Sequence, residues 1–313
     1  MRLLTLFLCA SAVLGMAAQE ATFRGTSDAV RVFATVTNRD GQLVPSLTRE
    51  TFEVRDEGKP QPITIFDNTP QRIRLVVMLD VSGSMEGNLP LLRAGTEQLV
   101  ARLRPDDVAR VGTFGHTVEI GQRFTRDSQE LLASLPRNIA SDAPTPLWRA
   151  AHEALEAFGP RVEERSVVLV LSDGKDTGPM RFGEHFYSQA EIIDRARKDD
   201  VMVYGIGMRS RAARPRVPGI GPGGLQAALM ADLPDPGLAL VAQETGGGYI
   251  EIRFGQDLAA AFAQVADELH SQYLLGFAPP KRDGKVHDIS VRVSDRSLKV
   301  RARKSYVAPR EGR

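Results

Sequence analysis

The chain has 313 residues, 40 basic against 39 acidic side chains, and a hydrophobic content of 42%. This length suits one large or two modest domains, and the balanced charge gives no overall field to attract nucleic acid or an anionic membrane. A single cysteine excludes an intrachain disulfide framework and a thiolate-rich metal site. Any metal is therefore expected to bind through oxygen or histidine.

Residues 1–18 are typical of an export signal. Arg2 supplies a positive start, and the apolar stretch 3–14 is too short to span a bilayer. Small residues favour cleavage after Ala17, with Ala18 as the alternative. Cys9 would leave with the signal, so the mature chain is expected to lack cysteine and a membrane span. The alternative is an uncleaved anchor or a buried N-terminal helix.

Residues 22–72 alternate apolar and polar side chains, with Gly and Asn at the turns. An alternation with a period of two residues, interrupted by these turn residues, predicts short antiparallel strands. The strands expected here are Ala29–Val36, Phe52–Asp56 and Pro62–Phe66.

Residues 73–272 predict a doubly wound α/β domain with a mostly parallel sheet. Unbroken apolar runs, typical of strands covered on both faces, alternate with helical periodicity. The expected strands are Ile73–Leu79, Val108–Phe114, Val167–Leu171 and Val201–Ile206. The expected helices are Leu89–Leu103, Leu147–Phe158, Ala190–Lys198 and Asp257–Ser271. A stretch rich in Pro, Gly and Arg, residues 210–235, is expected to be a loop with one short helix at 225–231.

Residues 273–307 return to strand patterning, and 308–313 form a tail. The expected strands are Tyr273–Phe277, Val286–Val293 and Leu298–Val307. Neither terminal β segment has enough strands for its own core, so 22–72 and 273–307 are predicted to pair into one small β-sandwich. The last strand carries alternating basic residues that are expected on a solvated face, or against an acidic envelope polymer: Lys299, Arg301, Arg303 and Lys304.

Oxygen-bearing side chains follow the first buried strand at alternate positions, as Asp80, Ser82 and Ser84. Open α/β sheets place ligand sites beyond the carboxyl ends of their strands, and Gly83 would let the loop curl around one point. Hard oxygen donors favour Mg²⁺, Ca²⁺ or Mn²⁺ over zinc or copper. The alternative is that these residues serve only as turn and helix-cap residues.

This D-x-S-x-S pattern resembles the metal-ion-dependent adhesion site of the von Willebrand factor A domain family. The family motif adds a threonine from a later pre-helix loop and an aspartate at a later strand end, which Thr145 and Asp173 match. The resemblance implies that Ser82, Ser84 and Thr145 bind a divalent cation through hydroxyls, while Asp80 and Asp173 bind directly or through water. Mg²⁺ is expected first, with Ca²⁺ or Mn²⁺ as alternatives.

The outer segments extend the resemblance to exported bacterial VWFA-related proteins of the acidobacterial type. Val36-Thr37-Asn38-Arg39-Asp40-Gly41 looks like the N-terminal part of that group, and Ser271-Gln272-Tyr273-Leu274-Leu275-Gly276-Phe277 looks like its C-terminal part. The length of the 210–235 stretch departs from the group and leaves the role of that stretch open.

The leading hypothesis is a non-enzymatic, exported interaction or adhesion module in which the Asp or Glu carboxylate of a partner protein completes the metal shell. It would act in the periplasm or at the cell surface. The alternative is a structural envelope scaffold in which the metal only stabilises loops. A metal-dependent hydrolase is disfavoured because no nucleophile with a base, and no catalytic residue, stands out.

Several other signals are expected to be structural. Asp176 and Glu86 are expected to be solvated loop carboxylates, and Gly219, Gly221 and Gly224 form a G-x-G-x-x-G match without a preceding strand. Five scattered histidines are expected to be structural or exposed: His116, His152, His185, His270 and His287.

Overall fold

The computed structural model describes residues 29–160, 164–173, 175–178, 183–209, 235–253 and 257–311. The predicted signal peptide, Cys9, the short helix expected at 225–231 and the three glycines of the G-x-G-x-x-G match lie outside the described residues. The strands are β1 Val30–Thr37, β2 Phe52–Asp56, β3 Lys59–Gln61, β4 Ile65–Asp67, β5 Ile73–Asp80, β6 Val108–Phe114, β7 Val118–Ile120, β8 Arg165–Ser172, β9 Val201–Met208, β10 Tyr249–Ile252, β11 Tyr273–Phe277, β12 Val286–Val293, β13 Lys299–Ala302 and β14 Ser305–Val307. The α-helices are α1 Leu89–Arg102, α2 Ser128–Ala133, α3 Leu147–Glu156, α4 Gln189–Asp199, α5 Pro236–Thr245 and α6 Leu258–Leu269.

A six-stranded sheet in the order β10-β9-β8-β5-β6-β7 forms the centre of the molecule. Its strands are parallel except β7, which pairs antiparallel with β6 at one edge. All eight residues of β8 and of β9 are buried, as expected for parallel strands covered on both faces. Helices α1, α2 and α6 cover one face, and α3, α4 and α5 cover the other. The predicted doubly wound fold is therefore confirmed.

The terminal segments form two four-stranded antiparallel sheets, in the orders β13-β1-β11-β4 and β14-β12-β2-β3. Each sheet mixes strands from both ends of the chain: β1 lies between β11 and β13, and β12 lies between β2 and β14. Their facing side chains, among them Val32, Val54, Phe277 and Tyr306, share one core. The predicted small β-sandwich is confirmed.

The prediction of a single last strand at Leu298–Val307 is wrong. The chain leaves one sheet after β13 and enters the other at β14. Between them, Arg303 forms an ion pair with Asp200, and Lys304 pairs with Glu244 at 2.8 Å. These contacts with the α/β domain hold the chain at the crossing, so the basic run does not form a solvated strand face.

Four elements of the central domain were not predicted: β7, α2, α5 and β10. Helix α5 starts beside the predicted loop, where the Asp235 side chain accepts a hydrogen bond from the Gly237 amide at 2.8 Å. Proline at the first helical position also suits a helix start. In the β-sandwich, the predicted strand Pro62–Phe66 is right only at its end, because residues 62–64 lie between β3 and β4 and outside both strands.

Candidate metal centre

The loop after β5 turns three predicted site residues toward one another. The Ser82 amide donates to Oδ1 of Asp80 at 2.8 Å, and the Ser82 and Ser84 hydroxyl oxygens lie 3.1 Å apart. The loop continues as a short 3-10 turn, 83–88, that leads into α1. Asp80 and Ser82 are almost completely buried, whereas Ser84 is exposed. The loop therefore gathers one carboxylate and two hydroxyls at the carboxyl edge of the sheet.

Asp173 joins this group from the neighbouring strand. Strands β5 and β8 are parallel with Leu79 opposite Leu171, so the two aspartates leave the sheet side by side. The Ser84 hydroxyl donates to Oδ1 of Asp173 at 2.8 Å, and the Ser172 hydroxyl donates to Oδ2 of Asp80 at 2.5 Å. Four of the five predicted residues are thus linked directly or through one hydroxyl.

The loop that carries Thr145 lies against the loop of Asp80 through backbone contacts. The Gly83 amide donates to the Ala143 carbonyl at 2.9 Å, and the Thr177 amide donates to the Thr145 carbonyl at 3.0 Å. A Cβ atom at Gly83 would lie 2.0 Å from the carbonyl oxygen of Ser141. Only glycine permits this close approach, which brings the loop of buried Thr145 against the loop of Asp80.

The two carboxylates destabilise each other in the absence of a positive charge. Burial, followed by the charge of Asp173, raises the pKa of Asp80 to about 7. Burial also raises the pKa of Asp173, and its Oδ2 atom is buried without a hydrogen-bond partner among the described residues. A buried, unpartnered carboxylate oxygen is costly. The oxygen-only donor set and this orphaned atom fit a hard divalent cation.

Two further residues support the site, and sequence reasoning did not assign them this role. The Ser172 hydroxyl donates a hydrogen bond to Oδ2 of Asp80. Asp176 accepts hydrogen bonds from the amides of Trp148 at 3.2 Å and Gly178 at 2.9 Å. Burial raises the pKa of Asp176, so its prediction as a solvated loop carboxylate is wrong. The sequence signal that could have identified Asp176 is its position shortly after Asp173. The structure places it at the start of α3.

A second group of ligand-type side chains lies in the β-sandwich, at Asp56, Glu57 and His287. Sequence reasoning placed His287 among structural or exposed residues and did not group it with the other two. Both ring nitrogens already face carboxylates, with Nδ1 3.1 Å from Asp56 and Nε2 3.3 Å from Asp283. The arrangement is therefore a buried hydrogen-bond network that joins β2, β12 and the turn before β12.

The comparison with protein families matches residues 75–175 to the von Willebrand factor type A domain. The matched range contains all five predicted site residues, the strands β6 and β8, and all but the first two residues of β5. The central domain, residues 73–272, carries this match, and we call it the type A domain. The narrower resemblance to the exported acidobacterial-type group stays a prediction. A comparison with the curated proteins finds no match.

Solved structures of related fold include a von Willebrand factor type A protein from Catenulispora acidiphila, at 12% identity and a TM-score of 0.48. That match covers 88% of this chain and 74% of the other. An aerotolerance-related membrane protein from Bacteroides fragilis matches at 16% identity and a TM-score of 0.44, over 63% of this chain and 98% of that one. Within the described ranges, no helix has the length and apolar character needed to cross a bilayer.

Proposed function

We propose that the type A domain binds a divalent cation through Asp80, Ser82, Ser84, Thr145 and Asp173 and uses it to bind a partner protein. The observation that carries the proposal is the unpartnered, buried Oδ2 of Asp173 within a cluster made only of carboxylate and hydroxyl oxygens. The raised pKa of Asp80 supports it, because a nearby cation removes the repulsion between the two carboxylates.

In this proposal the three hydroxyls and two carboxylates hold the ion, with Mg²⁺ expected first and Ca²⁺ or Mn²⁺ as alternatives. Two carboxylates only balance the charge of the ion, and neutral hydroxyls add none. The bound ion would supply an electrophilic position for an anionic oxygen, such as an Asp or Glu carboxylate of the partner. Ser84 is the exposed member of the set, and it marks the side from which a partner approaches.

We also propose that the protein is exported and non-enzymatic. The export proposal rests on the signal-like residues 1–18. The non-enzymatic proposal rests on the sequence, in which no nucleophile paired with a base stands out, and on the site, where the two aspartates that contact the Ser84 and Ser172 hydroxyls would be occupied by the metal. Metal-dependent hydrolysis in a turnover screen would contradict it.

Metal binding is tested by calorimetric titration of the purified chain with Mg²⁺, Mn²⁺ and Ca²⁺. The Asp173→Asn variant should lose binding, since it removes one of the two charges that face the ion. Asp142→Asn is the matched control, because Asp142 is an exposed acid on the Thr145 loop that pairs with His116 at 3.2 Å. Failure of the unmodified chain to bind any of the three ions at millimolar concentration would contradict the proposal.

Partner binding is tested by capture from envelope extracts of the source cell, with the immobilised chain in Mg²⁺ or in excess chelator. We expect captured protein in Mg²⁺ that is lost both in chelator and with Asp173→Asn, but kept with Asp142→Asn. Chemical esterification of carboxylates in the extract should abolish capture. Capture that survives chelation would instead support the scaffold alternative, in which the β-sandwich makes the contacts.

A further inference from the structure

A small cavity lies where the type A domain meets the β-sandwich, at the end of the central sheet opposite the candidate metal centre. Its volume is about 30 Å³, while roughly 10–15 Å³ on this measure is room for one water molecule. Residues from β1, β8, α4 and β9 line it, together with the crossing between β13 and β14. Its charged lining residues are Arg31, Arg165, Arg197, Arg303, Asp200 and Glu244.

Most charged residues of this lining form ion pairs, but Arg165 does not form one within the described ranges. Asp200 is paired with Arg303, and Glu244 is paired with Lys304 outside the cavity. Arg197 pairs with Asp194 at 2.6 Å. Arg165 is only 6% exposed, and across the described ranges no carboxylate forms an ion pair with it. Its guanidinium is therefore a buried charge without a directly bonded counter-charge, and Asp107 attracts it only from a distance.

The contacts of Arg165 satisfy its outer nitrogens but include no ion pair. One outer nitrogen donates to the Leu269 carbonyl at 2.8 Å, and the other donates to the Gln272 side chain. The guanidinium also lies 4.5 Å from the Phe33 ring centroid, a contact worth roughly 0.5–2 kcal/mol. Burial lowers the pKa of Arg165 to about 10, so the group remains charged at neutral pH.

Two donor groups at the cavity have no partner among the described residues. The Nε atoms of Arg165 and Arg303 are both buried without a hydrogen bond, and both side chains line the cavity. A buried N–H group without a partner costs free energy, more so on a charged side chain. A water molecule could accept these hydrogen bonds, but only an anion would also give the buried Arg165 guanidinium a direct ion pair.

We propose that this cavity binds one small inorganic anion of halide size, held by the Nε–H groups of Arg165 and Arg303. The ion forms an ion pair with the buried guanidinium of Arg165 and thereby stabilises the junction between the two domains. Chloride is the ion of suitable size and availability. The cavity is too small for a peptide or a nucleotide. This proposal is independent of the metal centre.

Crystals grown in sodium bromide in place of sodium chloride test the site directly, because bromide gives an anomalous signal and water does not. We expect an anomalous peak inside the cavity, next to the Nε atoms of Arg165 and Arg303. A solvent peak without anomalous signal would show that water fills the cavity and would overturn the proposal. This measurement uses the unmodified chain, so it does not depend on any variant folding.

Thermal unfolding provides the second test, with sodium chloride compared with sodium gluconate at constant sodium concentration. Because gluconate is too large for the cavity, chloride should raise Tm by about 2–4 °C. Arg303→Lys keeps the charge but removes the Nε–H group, and it should abolish this response. Arg195→Lys is the matched control, because Arg195 on α4 pairs with Asp199 outside the cavity. Equal Tm values in the two salts would overturn the proposal.

Discussion

At the scale of single residues, the candidate metal centre is a place where the metal-free fold is under electrostatic stress. Asp80 is fully buried, its two oxygens accept hydrogen bonds from Ser82 and Ser172, and the charge of Asp173 opposes its ionisation. Hydrogen bonds alone do not offset these effects, because the pKa of Asp80 remains raised. This stress is what a bound cation would relieve, and it makes the metal-free protein sensitive to pH.

In excess chelator, the free energy of unfolding of the metal-free protein should fall as pH rises from about 4 to 7. The folded pKa of Asp80, about 7, lies above its ordinary value of 3.8, so the folded state holds this proton more tightly than the unfolded state. Ionisation therefore opposes folding across that window, with a total cost on the order of 4 kcal/mol at most. Urea unfolding in chelator at pH 5 and pH 7.5 measures the change.

Asp80→Asn provides the comparison for that measurement, because it carries no charge at either pH. Its free energy of unfolding should change less between the two pH values than that of the unmodified chain. Saturating Mg²⁺ at pH 7.5 should stabilise the unmodified chain and leave the variant unchanged. Parallel pH profiles for the two proteins would contradict the role assigned to Asp80.

Gly83 and Gly87 provide a matched pair for testing the contact between the two loops. Both lie in the 3-10 turn after β5, but a Cβ at Gly83 meets the Ser141 carbonyl, whereas a Cβ at Gly87 meets nothing within 4 Å. Gly83→Ala should destabilise the fold by about 1–3 kcal/mol and weaken Mg²⁺ binding, while Gly87→Ala should change neither. Urea midpoints and calorimetry measure both effects, and equal behaviour of the two variants would contradict this account.

The residues of the candidate site were more predictable than its supporting contacts. Asp80, Ser82, Ser84, Thr145 and Asp173 occupy a motif whose order and strand-end positions are visible in the sequence. The support from Ser172 and Asp176 depends on three-dimensional neighbours that no local pattern displays. The buried oxygen of Asp173 likewise becomes visible only when β5 and β8 are adjacent in the sheet.

At the scale of elements, the start of α3 is fixed by a side chain from another loop. Pro146 precedes the helix and provides no side-chain cap; instead the Asp176 carboxylate accepts from the Trp148 amide. A negative charge here also interacts favourably with the helix dipole. This contact ties the loop after β8 to the helix that follows Thr145, so the helix start and the candidate site share one support.

Asp176→Ala should therefore destabilise the protein and weaken Mg²⁺ binding together. Asp127→Ala is the control, because Asp127 caps α2 by accepting from the Gln129 and Glu130 amides, away from the candidate site. Each variant should lose about 1 kcal/mol of stability, but only Asp176→Ala should lower Mg²⁺ affinity. Thermal unfolding and calorimetry separate the two effects; unchanged affinity in Asp176→Ala would contradict the link between this cap and the metal centre.

Strands and helices were predictable where burial produces a regular pattern of apolar residues. They were less predictable where contacts with other parts of the fold determine their bounds. The apolar runs of β5, β6, β8 and β9 appear in the sequence because both faces of these strands are covered. The β7 strand has only three residues at a sheet edge, too few to display a period. The split between β13 and β14 follows from ion pairs of Arg303 and Lys304 with the other domain, which a local pattern cannot reveal.

At the scale of the whole molecule, a buried polar network joins the type A domain to the β-sandwich. The Glu268 side chain on α6 accepts from Tyr204 on β9, Thr35 on β1 and Arg301 on β13. Gln272 donates to Thr35 at 2.6 Å and to the Tyr204 hydroxyl at 3.0 Å. The network is shared by strands of both domains, so disrupting one side leaves charges unpaired on the other.

The two domains should consequently unfold together, and Arg301→Gln should uncouple them. The chain contains one tryptophan, Trp148 in α3, so its fluorescence reports the type A domain, while far-ultraviolet circular dichroism reports both domains. In urea at fixed chloride, the two signals should coincide for the unmodified chain. Arg301→Gln leaves Glu268 without its cation and should cost about 2 kcal/mol, lowering the midpoint and separating the two curves.

The matched control is Lys304→Gln, which removes a more exposed ion pair with Glu244 at the same junction. Such pairs contribute roughly 0–1 kcal/mol, so its two curves should stay coincident and its midpoint nearly unchanged. The difference between the variants arises from burial: the Glu268 side chain that Arg301→Gln leaves unpaired is 11% exposed, whereas the Glu244 side chain that Lys304→Gln leaves unpaired is 23% exposed. Coincident curves and an unchanged midpoint in Arg301→Gln would show that the apolar contacts between the domains, and not this network, make their unfolding cooperative.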